Sequence, residues 1–210
     1  MKKRLLLLLV LSPMRYPTLA QPSAQASEVL EHISRPAAFQ ATFIYTSGTL
    51  HHAEAPEEVP GKVLVKDNKY HLTLGEQIVI NNGETVWTYL PEANEVHITC
   101  YDADQETLNP AQLLRIDQQG FLPIALRTQA IHDCLCDVVD LVATDKENGL
   151  MKLCLAIEQK TKHLKSLTAW DSNDTWHMFL LTTFEPDVKL DEACFEFDQQ
   201  LYDVEVIDLR

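Results

Sequence analysis

The sequence has 210 residues, 46% hydrophobic and 23% charged, a composition that excludes a disordered or collagen-like chain. Its 17 Lys and Arg against 31 Asp and Glu leave a net charge of -14. That balance excludes nucleic acid as a partner and disfavours standing attachment to an anionic membrane, since both need a basic surface. The length suits one domain with a sizeable core.

Met1-Lys2-Lys3-Arg4 is basic, and Leu5 to Leu11 is an unbroken apolar run. Ser12-Pro13 breaks it, and small residues follow at Ala20, Ala24 and Ala26. This reads as a secretory signal peptide over residues 1–20, with cleavage after Ala20 or as late as Ala26. The run is far short of the ~20 residues of a spanning helix. The first cysteine is Cys100, so no acylation cysteine follows the leader. The expectation is an exported, soluble, single domain over residues 21–210. That stretch keeps 13 Lys and Arg against all 31 acids, a net charge of -18.

Ser27 reads as an N-cap with Glu28 and Glu31 behind it, and Val29, Leu30 and Ile33 form a stripe that ends at Pro36. The period then changes to two. Phe39, Ala41, Phe43 and Tyr45 alternate with polar residues, and a succession of short strands follows. These include Gly61–Val65, Tyr70–Leu74, Ile78–Ile80, Trp87–Tyr89 and Val96–Ile98, with Asn81-Asn82-Gly83 as a hairpin signal. Asn109-Pro110 opens a second short helix carrying Leu113, Leu114 and Ile116. Gly120–Ile124 reads as a loop. From His132 the strands return, through Cys134–Val142, Met151–Ile157, Leu164–Trp170, Trp176–Leu180, Phe195–Phe197 and Val204–Leu209. The total is roughly eleven strands and two short helices.

So many apolar strand faces exceed what two short helices cover. A sheet that curls part-way would leave an apolar trough with the helices as its lid. A packed β-sandwich without a cavity fits the same alternation. Catalytic signals are missing: the six glycines are too dispersed for a phosphate loop, and no nucleophile elbow, zinc-protease motif or Cys-x-x-Cys occurs. The chain reads as a binding protein, not an enzyme, with no cofactor and no metal. His51-His52-Ala53-Glu54 reads as solvated loop. On a strand, His132, Cys134 and Cys136 would share a face open to a soft metal, or simply be buried thiols. An exported protein could also bridge Cys134 or Cys136 to Cys154.

The strands match a family in their order. Phe39-x-Ala-x-Phe43-x-Tyr45, Gly61–Lys66, Lys69–Leu74, Asn82–Tyr89, Asn94–Ile98, Asn109-Pro110, Phe195-x-Phe-Asp198 and Glu205–Arg210 resemble the periplasmic lipoprotein carriers of the LolA type, closest to a Bacteroidetes-like branch. The resemblance implies an incomplete antiparallel β-barrel with helices as a lid over an apolar cavity. It implies a periplasmic chaperone that takes acylated lipoproteins from an inner-membrane ABC transporter to an outer-membrane acceptor, acting as a monomer. The expected cavity wall is Phe43, Tyr45, Val63, Val65, Tyr70, Leu72, Leu74, Ile78, Ile80, Trp87, Tyr89, Val96, Ile98, Leu153 and Leu155. The lid would carry Leu30, Ile33, Leu113 and Leu114. On this reading Trp87→Asp abolishes acyl binding. Family members hold the lid with a barrel arginine, a role that none of Arg35, Arg115 and Arg127 matches, and the Cys-x-Cys pair is foreign to the pattern. The alternatives are a lipid or lipoprotein sensor of the same fold, a general lipid-binding protein, and a thiol or metal protein using His132, Cys134 and Cys136.

Overall fold

Ser23 opens the first helix, α1 (Ala24–Glu31), by accepting a bond from the Ala26 N–H at 3.3 Å. The cap lies one turn before the expected Ser27, because Ala24, Gln25 and Ala26 are good helix formers behind a serine of their own. The structure, a computed structural model, describes residues 22–49, 56–102, 120–145, 149–198 and 203–210. The expected second helix at Asn109-Pro110 therefore lies outside the described residues.

The alternating run after α1 folds as a meander: β1 (Ala38–Thr49), β2 (Val59–Lys66), β3 (Lys69–Leu74), β4 (Gln77–Asn81), β5 (Thr85–Leu90) and β6 (Glu95–Cys100). Its turns fall where the residues tolerate positive φ, at Asp67 (53°), Gly83 (95°) and Asn94 (55°). The expected hairpin at residues 81–83 forms, with the Asn81 side-chain oxygen accepting from Gly83 N at 2.6 Å.

Residues 121–124 correct the expectation of a loop. They begin an eleven-residue strand, β7 (Phe121–Ile131). Pro123 is tolerated there because β7 is an edge strand with a register shift between Pro123 and Ala125. The second meander continues with β8 (Cys134–Ala143), β9 (Leu150–Glu158), β10 (Leu164–Asp171) and β11 (Thr175–Pro186). His132 has φ 51° in the β7–β8 turn, so it does not continue the strand face of Cys134 and Cys136.

A second correction concerns Phe195-Glu196-Phe197, expected as a strand. Residues Glu192–Phe195 form a single 3₁₀ turn, and the chain then reaches β12 (Glu205–Asp208). One sheet of 12 strands results, in the order β12-β6-β5-β4-β3-β2-β1-β11-β10-β9-β8-β7. All neighbours are antiparallel except β12, which pairs parallel with β6. The β1–β11 pair, from Phe39↔Pro186 to Thr49↔Thr175, joins the meanders. Among the described residues, strands β12 and β7 are the edges of this open sheet, so the barrel is incomplete. A twisted sheet this wide curls instead of lying flat.

Register sorts the sheet into two faces, because directly opposed residues point the same way. One face carries Phe39, Ala41, Val63, Val65, Tyr70, Leu72, Leu155 and Leu167, and α1 packs on it through Ala26 and Leu30. The other face of β3 to β6 is crossed by a C-terminal strap, described over residues 187–198 and 203–204. Phe195 is fully buried, and Phe197 packs with Ile80 and Val96. His71 Nδ1 meets the Cys194 carbonyl at 2.9 Å, and Asn82 donates to Glu196 at 3.1 Å.

The strap is pinned by charge. Lys66 and Lys69 reach Glu192 at 2.5 and 2.6 Å. Their hydrogen bonds pull the Glu192 carboxyl from 4.5 down to about 2. A carboxyl depressed on folding stabilises above its unfolded pKa, and that contribution fades as pH falls from about 4.5 toward about 2. Amide protection over residues 192–197, taken relative to the intrinsic rate at each pH, should therefore fall through that window. Glu192→Gln should shrink the step. A remainder should persist in β12, where hydrogen bonds from Arg210 hold Asp208 at about 2.

Candidate functional site

The helix face is the larger apolar surface. Its cluster joins β1, β2, β3, β8, β9, β10 and β11 to α1. Phe43, Val63, Val65, Leu153 and Leu155 are each 2% exposed or less. Of the expected wall, nine residues meet here: Phe43, Tyr45, Val63, Val65, Tyr70, Leu72, Leu74, Leu153 and Leu155. Leu30 and Ile33 of the expected lid meet them. Leu113 and Leu114 lie outside the described residues.

The other six expected wall residues are not on this face. Tyr70↔Asn81 and Leu72↔Val79 put Asn81 and Val79 on the helix side of β4, which turns Ile78 and Ile80 to the strap side. Ile80↔Trp87↔Ile98 and Ile78↔Tyr89↔Val96 carry the same assignment outward. Ile78, Ile80, Trp87, Tyr89 and Val96 pack with Phe197 and Val204 instead. On the helix side this wing is mixed, with Thr88, Glu95, His97 and Thr99 among Val79, Val86 and Leu90.

Sequence reasoning missed Val139, Leu141, Leu164, Leu167, Phe179 and Leu181, all buried in the same cluster. Their period-two spacing was visible. Their side of the sheet follows only from pairings such as Val139↔Leu155↔Leu167↔Phe179.

Helix α1 is tied down at both ends. Ser23 N donates to the Pro123 carbonyl at 2.8 Å, and Ser34 N to the Lys162 carbonyl at 2.9 Å. Arg35 donates to the Leu30 carbonyl at 3.3 Å, closing the helix C-terminus. Lifting α1 therefore breaks a few backbone bonds and exposes one short apolar stripe.

The β1 C-terminal end of this face changes character. Tyr45 stacks on His177 (centroids 6.1 Å, 20°), and Tyr45 Oη lies 2.8 Å from His177 Nδ1. His177 Nε2 lies 3.9 Å from Asp171 Oδ2. Burial opposes the Asp171 charge, yet the Thr175 and Asn173 backbone N–H groups hold its carboxyl below the ordinary value. At the same end, a pocket of about 510 Å³ opens between Leu74, Gln77, Leu90 and the carboxylate-bearing Glu76 and Glu92. Among the described residues, no Lys or Arg occupies a strand position on the helix face. Arg127 is on the opposite face, donating to Asp140 at 2.7 Å and to the Cys154 sulfur at 3.3 Å.

The cysteines also sit on the opposite face. Cys136 opposes Glu158, and Cys154 opposes Asp140, four residues further along the pair. All five cysteines are free, and Cys134 and Cys136 are not brought to bridging distance of Cys154. Burial pushes the Cys136 and Cys154 thiols up, so both behave as small core side chains. His132 and Cys134 line a pocket of about 230 Å³ with Lys165 and Leu180.

No curated protein matches the sequence. Among solved structures, an uncharacterized conserved protein from Thermus thermophilus shares the fold at TM-score 0.57 and 13% identity, over 88% of this chain and 99% of that one. A LolA superfamily protein from Nitrosomonas europaea aligns at TM-score 0.45 and 15% identity, over 82% and 98%. MucB with MucA from Pseudomonas aeruginosa aligns at 0.47 and 16%, over 86% and 63%. The family model described as outer membrane lipoprotein carrier protein LolA matches residues 18–173. The chain therefore belongs to the LolA family of outer-membrane lipoprotein carrier proteins.

Proposed function

We propose that the protein is a periplasmic carrier that holds the acyl chains of lipoproteins on its helix face. It receives them from an inner-membrane ABC transporter and yields them to an outer-membrane acceptor. One observation carries this reading: among the described residues, a broad apolar face with no cation on its strands is topped by an eight-residue helix that buries one short stripe and is hydrogen-bonded to the sheet at its two ends. An acyl chain that replaces the stripe of α1 would bury the same kind of surface.

The magnitudes fit a carrier. Each buried methylene contributes about 0.8 kcal/mol, so a chain of about 15 gains roughly 12 kcal/mol gross. Displacing Leu30 and Ala26, both essentially fully buried, subtracts several kcal/mol from that gain. The remainder is strong enough to keep a chain out of water and weak enough to release it. Aromatic walls at Phe43, Tyr45 and Phe179 offer large surfaces without a shape-specific pocket.

The test compares an acylated peptide with its unacylated form by calorimetry on the protein lacking residues 1–20. Only the acylated form should bind, and equal affinity for both would sink the reading. The same titration separates the faces. Trp87→Asp should leave acyl binding within about twofold, because Trp87 packs on the strap side. It should instead speed amide exchange in residues 192–197.

A further inference from the structure

The polar end of the helix face has a definite electrostatic sign. Tyr45, His177 and Asp171 form a half-buried chain there, beside Ser47, Thr49 and Thr175 on the paired strands. The side chains of His177 and Asp171 are each 17% exposed. Asp171 Oδ1 already accepts from Asn173 N and Thr175 N at 2.8 and 2.9 Å, which fixes the carboxylate in place. Among the described residues, no strand cation on this face answers it. The α-helix dipole among them that could offset it, at the start of α1, is capped by Ser23 and held at Pro123. The register Pro123↔Leu141↔Leu153↔Ala169↔His177 places that point four strands away from His177.

An acyl chain laid along the apolar wall must put its polar end somewhere. The opposite end of β1 is closed by Phe39 packing on Phe184 (5.3 Å), with His163 against Phe184 (4.8 Å). The Tyr45 end offers hydroxyl and imidazole groups to a carbonyl, and a carboxylate to a cation. An anion could use the same donors, but in a partly dehydrated site it also meets the repulsion of the fixed Asp171 carboxylate, which a neutral or cationic end does not.

We propose that the site selects its acyl ligands by the charge of their polar end, seated at Tyr45, His177 and Asp171. It takes chains ending in a neutral ester or amide, or in a cationic amine, and rejects chains ending in a carboxylate or phosphate. This rests on the acyl-carrier reading above and adds a filter to it. Free fatty acids and anionic phospholipids are thereby kept out of a carrier that moves between lipid surfaces.

The test uses three single-chain probes with the same lauroyl tail: monolaurin (neutral), lauroylcholine (cationic) and laurate (anionic). Affinities are measured by calorimetry on the protein lacking residues 1–20, near neutral pH and at physiological salt. Laurate should bind about tenfold more weakly than monolaurin, and lauroylcholine at least as well. Asp171→Asn keeps the turn acceptor and should strengthen laurate about fivefold. Glu185→Gln makes the same charge change on the strap face, where Glu185 bonds Gln40, and should leave laurate unchanged. Ser47→Lys places a cation beside His177 and should reverse the order of laurate and monolaurin. Laurate binding on a par with monolaurin would overturn the proposal, as would equal laurate gains from Asp171→Asn and Glu185→Gln. Failure of all three probes to bind would overturn the carrier reading itself, and this filter with it.

Discussion

Gly61→Ala should lower stability by about 1–3 kcal/mol, and Phe43→Leu should relieve most of that loss. Gly61 on β2 lies directly opposite Phe43 on β1. The Phe43 ring folds over it, so a Cβ at residue 61 would sit 2.3 Å from Cζ and 2.4 Å from Cε2. The ring has nowhere to retreat. It is 1% exposed and meets the Phe179 ring edge-on at 5.6 Å. Glycine inside a strand normally weakens it, and here close packing is the compensation. Urea unfolding of the wild type, both single mutants and the double mutant gives the coupling directly. The expected coupling is about 1–2 kcal/mol in favour of the double mutant. Additive losses would mean that the ring does not occupy the space over Gly61.

Leu30→Ala should move stability and acyl affinity in opposite directions. Leu30 is 1% exposed against the wall, so the closed protein should lose about 2–5 kcal/mol. If α1 must leave for a chain to enter, apparent affinity scales with the fraction of molecules that are open. Acylated-peptide affinity should then rise about tenfold or more, since each ~1.4 kcal/mol taken from closure is a factor of ten. Calorimetry and urea unfolding on the same protein check both signs. A fall in affinity parallel to the fall in stability would show that α1 stays seated and forms part of the binding wall.

Which residues alternate was legible in each strand; which side each alternation faces was not. In β4, the alternation by itself offers Ile78 and Ile80 as a wall pair. The pairing Leu72↔Val79 gives that side of the strand to Val79 instead. Period two tells which side chains travel together, and a shift of one residue sends the whole set to the other side. The strap shows why both sides of β4 and β5 can be apolar. Phe195 and Phe197 come from more than a hundred residues further along and cover the second side. Pro123 hid β7 for a related reason: proline argues against a strand until the strand is known to be an edge.

By itself the sequence determined the kind of chain: a basic and then apolar N-terminal run, an acidic remainder and a mainly β fold. These follow from composition and local period, which need no knowledge of partners across the chain. Only the tertiary structure decided which apolar face belongs to α1 and which to the strap, and where the polar end of the helix face lies. It also decided that Cys134, Cys136 and Cys154 remain apart. Each of these depends on strand register, and register is set by contacts between residues distant in sequence.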